Sequence, residues 1–461
     1  MTSAYRFDPV IIRENDVRGV YGETLTTDDT YALGRAYATV ALEAGGRRIA
    51  VAYDGRLSSP ALEGALVAGL SDGGVHVLRI GCAPSPMLYY AVHEYGLDGG
   101  LIITGSHNPP DYNGCKMMLG RESLHGDGIR RLAEIAASGK FSASGGTVED
   151  FDVADAYVAR LAKDWRGGAD LTIVWDAGNG ATGDILQCLA KQLPGRHVLL
   201  NAEIDGLFPA HHPDPTIPEN LVELSRTVAD VDADFGVSFD GDGDRLGIVD
   251  PAGRIIWGDQ MIALLAREVL SEHPGAPIIA DVKASDMLFE EIARLGGKPV
   301  MYKTGHSLIK AKMQALNSPL AGEMSGHIFV ADHYYGFDDA LYVAIRFAGL
   351  VAADPGGATA LLDSLPVMVN TPEIRIDCPE ERKFSAVEEV RSRLHLEGAE
   401  VNEIDGVRVS RDGGWWLLRA SNTQAVLVAR CEARDQTTLD RLKAELIAQL
   451  KQSGLAPSTA I

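Results

Sequence analysis

The sequence predicts an α/β protein: three related α/β domains with mixed, largely parallel sheets, followed by a smaller C-terminal α+β domain. Three observations carry that reading. Short apolar runs alternate with helix-length stretches through most of the chain. The plan restarts twice: strands ending in Asp recur at Asp54, Asp176 and Asp281, each followed by a later strand that opens into a polar loop, at Ser106, Asp240 and Glu323. The last segment breaks the plan, with hairpin signals in place of the alternation. The spacing is too irregular for a solenoid, and 461 residues are too many for one core.

Taken in order, the first domain (1–148) opens on the charged loop Glu14-Asn15-Asp16-Val17-Arg18-Gly19. A helix is predicted from about Thr27 to Gly45, with Thr26-Thr27-Asp28-Asp29 as its N-cap. A strand ending at Asp54, a helix from Pro60 to Gly73 and a strand over 75–81 follow. The buried run Leu101-Ile102-Ile103 then breaks into Thr104-Gly105-Ser106-His107-Asn108-Pro109-Pro110, where glycine, asparagine and prolines end regular structure. The small, polar stretch from 139 to 150 marks a boundary. The second domain (149–252) holds the strand 171–176, a Gly-rich turn with a helix after it, and the strand 234–239. Asp250-Pro251-Ala252-Gly253 reads as the next boundary. The third domain (253–365) has strands over 276–281 and 318–322, the second opening into Glu323-Met324-Ser325-Gly326-His327. In the last domain (366–461), strands over 407–410 and 415–418 flank Arg411-Asp412-Gly413-Gly414, a hairpin turn.

Composition narrows the function classes. The balance of 42 basic and 64 acidic residues gives a net charge of −22, which disfavours a nucleic-acid surface and makes any anion site gather its cations locally. Five scattered cysteines without a C-x-x-C suit reduced thiols in a cytoplasmic protein. The N-terminus lacks a signal-peptide core, and no apolar run is long enough to span a membrane. A monomer or weak homo-oligomer is expected.

Chemistry concentrates in the loops. A serine past a strand end sits where open α/β sheets bind ligands, and Ser106 has His107 beside it and Lys116 after the turn. Read blandly, Ser-His-Asn is turn chemistry alone. Asp240-Gly241-Asp242-Gly243-Asp244 puts three carboxylates together that repel unless a cation joins them, and oxygen-only ligands suit Mg²⁺, Ca²⁺ or Mn²⁺. Arg245 and Pro251 stand where an EF-hand needs Gly and Glu. Glu323, Ser325 and His327 suit sugar hydroxyls. Arg419, Ser421, Asn422 and Thr423 form a phosphate cradle. Lys283 and His306 add a cation and an imidazole. Gly178-Asn179-Gly180-Ala181-Thr182-Gly183, with Glu203 beyond it, matches a dinucleotide fingerprint and makes an NAD-dependent oxidoreductase the reading from another class.

Four motifs in order, Thr104–Pro109, Asp240–Arg245, Gly322–His327 and Arg419–Thr423, resemble the α-D-phosphohexomutase superfamily over the whole chain. The Gly-Glu-Met-Ser-Gly-His form is similar to the bacterial phosphomannomutase/phosphoglucomutase group, whereas phosphoglucosamine mutases, the alternative, usually carry Gln at the position of Met324. Asn15 departs from that group's usual Tyr. The resemblance implies domains arranged around a central cleft and a mutase that interconverts hexose 6-phosphate and hexose 1-phosphate. It implies phosphate on Ser106 and Mg²⁺ on Asp240, Asp242, Asp244 and a phosphoserine oxygen. It also implies a hexose 1,6-bisphosphate intermediate. By the same resemblance, Lys116, His107, Arg245 and His327 lie at the chemistry. Arg18, Arg245, Lys283, His306, Glu323, Met324, Ser325, Gly326, His327, Arg419, Ser421, Asn422 and Thr423 contact substrate. A non-catalytic sugar-phosphate-binding regulator on the same scaffold is the non-enzyme alternative.

Overall fold

A computed structural model describes residues 4–142, 145–168, 170–394, 398–421 and 425–455. The described residues form four sheets, three mixed and one antiparallel.

In the first sheet the strands run Val17–Val20, Tyr112–Leu119, Gly99–Ile103, Arg48–Tyr53, His76–Cys82 and Thr147–Asp150. The last four are mutually parallel, and Tyr112–Leu119 runs antiparallel to both its neighbours, Val17–Val20 and Gly99–Ile103. The helix Thr27–Glu43 begins where the sequence signals it: the Thr26 hydroxyl accepts from Asp29 N, and the Asp29 carboxylate accepts from Thr26 N at 2.7 Å. This helix crosses the helix Ser59–Asp72 at two glycines. A Cβ at Gly34 would lie 2.5 Å from Leu66 O, and one at Gly69 would lie 2.1 Å from Tyr31 O.

The expected division at 148 falls inside a strand: Thr147–Asp150 pairs with His76–Arg79, so the first sheet runs to Asp150. All four of its residues are exposed, and an edge strand with no buried face carries no apolar alternation to read. The second sheet runs Ile255–Ile256, Leu246–Val249, Phe235–Phe239, Thr172–Asp176 and Arg196–Leu200, the last three parallel. Asp250–Gly253 closes a hairpin within it, between Leu246–Val249 and Ile255–Ile256, so this sheet also continues past the turn read as a boundary. A Pro-Gly turn signals a hairpin as readily as a boundary.

The third sheet places Lys298–Tyr302, Pro277–Asp281 and Leu320–Gly322 parallel, with Ile328–Val330 antiparallel at its edge. The fourth is antiparallel throughout, built on Val426–Ala433, Gly414–Ala420 and Val407–Arg411. Its hairpin turn carries Asp412 and Gly413 at φ 50° and 83°, as a two-residue primed turn requires.

Packing divides the molecule differently from the sheets. One apolar cluster joins the first three units, from Ala52 and Leu88 through Trp175 and Phe239 to Leu265, Leu320 and Phe347. The fourth unit has its own core around Ile376, Val390, Trp416, Leu427 and Leu446. The two meet through a small cluster of Val282, Trp415 and Leu417. Among the described residues, no helix is long and apolar enough to cross a membrane.

Candidate active site

Ser106 leaves the strand Gly99–Ile103 in a left-handed conformation, φ 49°, which a serine adopts only when its neighbours hold it there. They do so through two residues of the Asp54 turn. Asp54 accepts from Thr104 Oγ1 at 2.8 Å, Gly105 N at 3.0 Å and Arg56 Nε at 3.1 Å. The guanidinium of Arg56 then donates to the carbonyls of Ser106 (2.7 Å), Asn108 (2.6 Å), Tyr112 (3.0 Å) and Pro109. Gly105 makes room for it: a Cβ there would sit 2.3 Å from Arg56 Nε. Arg18 braces the loop from the opposite side, bonding Gly105 O, Asn108 Oδ1 (2.8 Å) and Asp16.

Held this way, Ser106 Oγ donates to Asp240 Oδ2 at 2.9 Å and lies 3.2 Å from His107 Nδ1. Burial and Arg245 hold His107 far below its usual pKa, hence neutral. Asp240, Asp242 and Asp244 are fully buried, with carboxylate oxygens within 4.8 Å of one another. Burial and the two neighbouring carboxylates push Asp240 well above the usual range. Lys116 Nζ bridges the other two, 2.6 Å from Asp242 and in contact with Asp244. Burial works against the Lys116 charge, but Asp242 and Asp244 outweigh it and raise its pKa well above normal. Ser85 donates to Asp242 Oδ2, yet Asp242 Oδ1, also buried, accepts nothing among the described residues. An oxygen-only trio with an unmet acceptor fits a hard divalent cation such as Mg²⁺.

The third unit closes over this cluster. His327 Nδ1 bonds Glu323 Oε2 at 2.9 Å, and its Nε2 lies 3.2 Å from both Asp244 Oδ1 and Arg245 Nε. The Asp244 contact needs the charged ring and the Arg245 contact the neutral one. Burial and Arg245 pull the His327 pKa down, but Asp244 and Glu323 win and raise it to about 9. The ring is therefore an imidazolium at neutral pH without a bound metal. Glu323 also accepts from Gly305 N at 2.7 Å, so both its oxygens are engaged within the third unit. His306 starts the helix His306–Leu316 and stacks on His327 at 5.4 Å, with Nδ1 3.7 Å from Asp338. Met324 N donates to Asp281 at 3.2 Å. Ser325 Oγ lies 3.5 Å from His327 Nδ1. Gly326, at φ 91°, packs so close to Leu246 O that a Cβ would lie 2.5 Å away.

Lys283 reaches across to the fourth unit, 3.2 Å from Glu373 and 3.8 Å from Asp281. Arg419 Nε donates to Asp405 at 2.9 Å, and Asp405 accepts from Thr304 N at 3.0 Å. Ser421 N donates to Val426 O at 3.0 Å. Asn422 and Thr423 lie outside the described residues.

The structure overturns the dinucleotide reading. The turn Gly178–Gly183 is packed against the Asp240–Asp244 loop: Ala181 N donates to Gly241 O at 2.9 Å, and a Cβ at Gly180 would lie 2.9 Å from that oxygen. Its glycines admit protein backbone, in place of a pyrophosphate. Sequence reasoning gave no role to Arg56, Ser85, Asp405 or Glu373. Arg56 stood beside a strand-end Asp, as much signal as a single sequence offers. The other three become neighbours of the site only through packing between units.

Comparison with known proteins places these features in a family. Residues 9–141, 155–253 and 257–367 match phosphoglucomutase/phosphomannomutase alpha/beta/alpha domains I, II and III, and 373–449 match its C-terminal domain. The chain is 42% identical over 441 residues to a phosphomannomutase/phosphoglucomutase of Pseudomonas aeruginosa, covering 96% of this chain and 95% of that one. A phosphoglucomutase of Neisseria gonorrhoeae is 43% identical over 438 residues, covering 94% and 95%. The crystal structure of a phosphoglucomutase/phosphomannomutase family protein from Burkholderia thailandensis superposes with a TM-score of 0.92 at 42% identity, covering 98% of this chain and 99% of that one.

Proposed function

The chain belongs to the phosphoglucomutase/phosphomannomutase family, and from that premise we propose how its residues carry out the reaction. The protein is a phosphohexomutase that interconverts hexose 6-phosphate and hexose 1-phosphate. Its substrates are mannose and glucose phosphates. The observation that carries the mechanism is Ser106: a hydroxyl in a strained, fully braced turn, hydrogen-bonded to one of three buried carboxylates.

The active enzyme carries phosphate on Ser106. A free hydroxyl of the bound hexose phosphate attacks that phosphorus. The new P–O bond forms to the sugar as the bond to Ser106 Oγ breaks, giving hexose 1,6-bisphosphate and releasing the hydroxyl proton to a base. The bisphosphate reorients within the cleft, and its other phosphoryl group returns to Oγ. Mg²⁺ bound by Asp240, Asp242, Asp244 and a phosphoserine oxygen would offset the charge that develops on the transferring group. Lys116 lies on the same carboxylates and stabilises the departing Oγ. His107, Arg245 and His327 border the transfer path. His306, Glu323, Met324, Ser325 and Gly326 form the sugar-facing wall. Arg419, Ser421, Asn422 and Thr423 supply the contacts for the non-reacting phosphate, and Arg18 and Lys283 are further substrate contacts.

Intact mass and phosphopeptide mapping of purified protein should find phosphate on Ser106. Ser106→Ala should fold and lose nearly all turnover of mannose 1-phosphate and glucose 1-phosphate. Full activity in that variant would sink the phosphoserine mechanism. Glucosamine 1-phosphate turned over as fast as the other two would instead favour a phosphoglucosamine mutase.

A further inference from the structure

The helix Ser85–Glu94 of the first unit brings its first residue against the Asp240–Asp244 loop of the second. Ser85 is fully buried and grips Asp242 twice. Its N–H donates to Asp242 O at 2.8 Å, and its hydroxyl donates to Asp242 Oδ2. The two residues stand 157 positions apart, so the grip is a contact between units. The backbones approach closely there: a Cβ at Gly243, whose φ is 74°, would lie 3.2 Å from Pro84 Cβ.

A carboxylate oxygen has two lone pairs. Asp242 Oδ2 uses both, one on Ser85 and one on Lys116 Nζ at 2.6 Å. Asp242 Oδ1, also buried, uses neither among the described residues. Its neighbours are divided differently. Asp240 Oδ1 accepts from Asp244 N and Arg245 N, each at 3.1 Å, and its Oδ2 accepts from Ser106. Asp244 Oδ2 meets Lys116, and its Oδ1 faces His327 Nε2 at 3.2 Å. Of the three, Asp242 therefore has one oxygen filled and the other open. Rotation about the Cβ–Cγ bond of an aspartate is soft, so the residue itself does not keep that division. Lys116 does not fix it either, because its ammonium also serves Asp244. The Ser85 hydroxyl fixes it, on a backbone that Asp242 O already holds.

We propose that Ser85 is a positioning residue for the divalent cation: it ties down Oδ2 of Asp242 and so presents Oδ1 to the ion. This role rests on the reading of Asp240, Asp242 and Asp244 as the Mg²⁺ site, and it names a residue of another unit that sets the affinity of that site. Ser85 touches neither substrate nor ion, and acts only through Asp242. A hydrogen-bonding partner of a ligating carboxylate contributes about 10- to 100-fold in metal affinity.

The test reads metal binding itself. Mn²⁺, a hard ion that takes the same oxygen ligands, is titrated into full-length protein of matched Ser106 phosphorylation and followed by electron paramagnetic resonance, with Mg²⁺ as competitor. Wild type should bind Mn²⁺ that Mg²⁺ displaces. Ser85→Ala should bind both ions about 10- to 100-fold more weakly. Its half-saturating Mg²⁺ for turnover should rise by the same factor, while KM for glucose 1-phosphate at saturating Mg²⁺ stays at the wild-type value. Gly69→Ala, strained at the helix crossing of the first unit, should bind Mn²⁺ as wild type does, which separates positioning from general loosening. Equal affinities in wild type and Ser85→Ala overturn the positioning role and leave the metal site standing. So does an equal loss in Gly69→Ala. Absence of Mg²⁺-displaceable Mn²⁺ in wild type overturns the metal site and the positioning role together.

Discussion

Arg56 shows how much of the site rests on one side chain that has no place in the reaction. It is buried against Asp54 and ties together four carbonyls of the serine loop. Removing one member of a buried ion pair costs about 3–5 kcal/mol because the other is left unpaired. Arg56→Ala should therefore lower the denaturation midpoint clearly and reduce phosphorylation of Ser106. Leu57→Ala, at a neighbour that is 70% exposed, should stay within about 0.5 kcal/mol of wild type. Equal midpoints for the two variants would count against the bracing role. Asp242 tests the chemistry itself. Asp242→Asn keeps the shape and removes one charge from the trio, so turnover should fall by about two to three orders of magnitude, as losses of transition-state charge stabilisation do. The variant should still fold, since Lys116 keeps its contact with Asp244, and circular dichroism checks this. If the variant and chelation both leave the rate unchanged, no metal acts at these carboxylates.

At the scale of elements, the repeated strand-end aspartates turn out to have a common structural task. Asp54 holds Thr104 and Gly105 of the first loop. Asp176 accepts from Gly178 N at 3.0 Å, Asn201 at 3.0 Å, His211 at 2.8 Å and Ser238 Oγ at 3.2 Å. Asp281 accepts from Thr304 Oγ1 and Met324 N, each at 3.2 Å. In each unit a buried carboxylate at one strand end pins the loop leaving a neighbouring strand, which keeps loose backbone donors satisfied. The close helix crossing in the first unit makes a different kind of test, remote from chemistry. Gly69→Ala places a methyl 2.1 Å from Tyr31 O. The helices must separate, at about 1–3 kcal/mol for overpacking. The melting temperature should drop while kcat and KM stay at wild-type values. An unchanged melting temperature would mean that the crossing yields freely.

For the whole molecule, the division that matters is between the shared core of the first three units and the separate core of the fourth. The fourth unit docks chiefly through polar groups. Arg408 donates to Val282 O at 2.6 Å, Ala284 O at 2.9 Å and Asp286 at 2.6 Å while lying 3.7 Å over the Trp415 ring. Glu373 pairs with Lys283 across the same junction. Lys283 draws the Glu373 pKa down from 4.5 to about 2, against the effect of burial. A depressed carboxylate contributes stability above its unfolded pKa and loses it as pH falls through the folded value. Glu373→Gln should therefore melt below wild type at pH 7, and the gap should shrink between pH 4.5 and about pH 2. A gap that is constant with pH would show that the pair does not stabilise docking. Polar docking of a unit with its own core is the kind of junction that permits relative motion of domains.

The sequence by itself determined the fold class, the repeated plan and the four loops, because each rests on local signals: alternating period, turn residues, and several chemical groups within a few positions. The three carboxylates of Asp240–Asp244 and the serine turn were legible for that reason. Tertiary structure alone decided what no local pattern encodes. The Gly178–Gly183 turn has the letters of a nucleotide loop, but its neighbour in space is Gly241. The edge strand Thr147–Asp150 is exposed on every residue and leaves no hydrophobic trace. Lys116 meets Asp242, Ser85 meets Asp242, Lys283 meets Glu373 and Asp405 meets Thr304 across long sequence separations. Such pairings depend on how sheets stack and units dock, a property of packing in three dimensions. For that reason the residues that brace the serine loop and the carboxylates were hidden, while the loops themselves were in view.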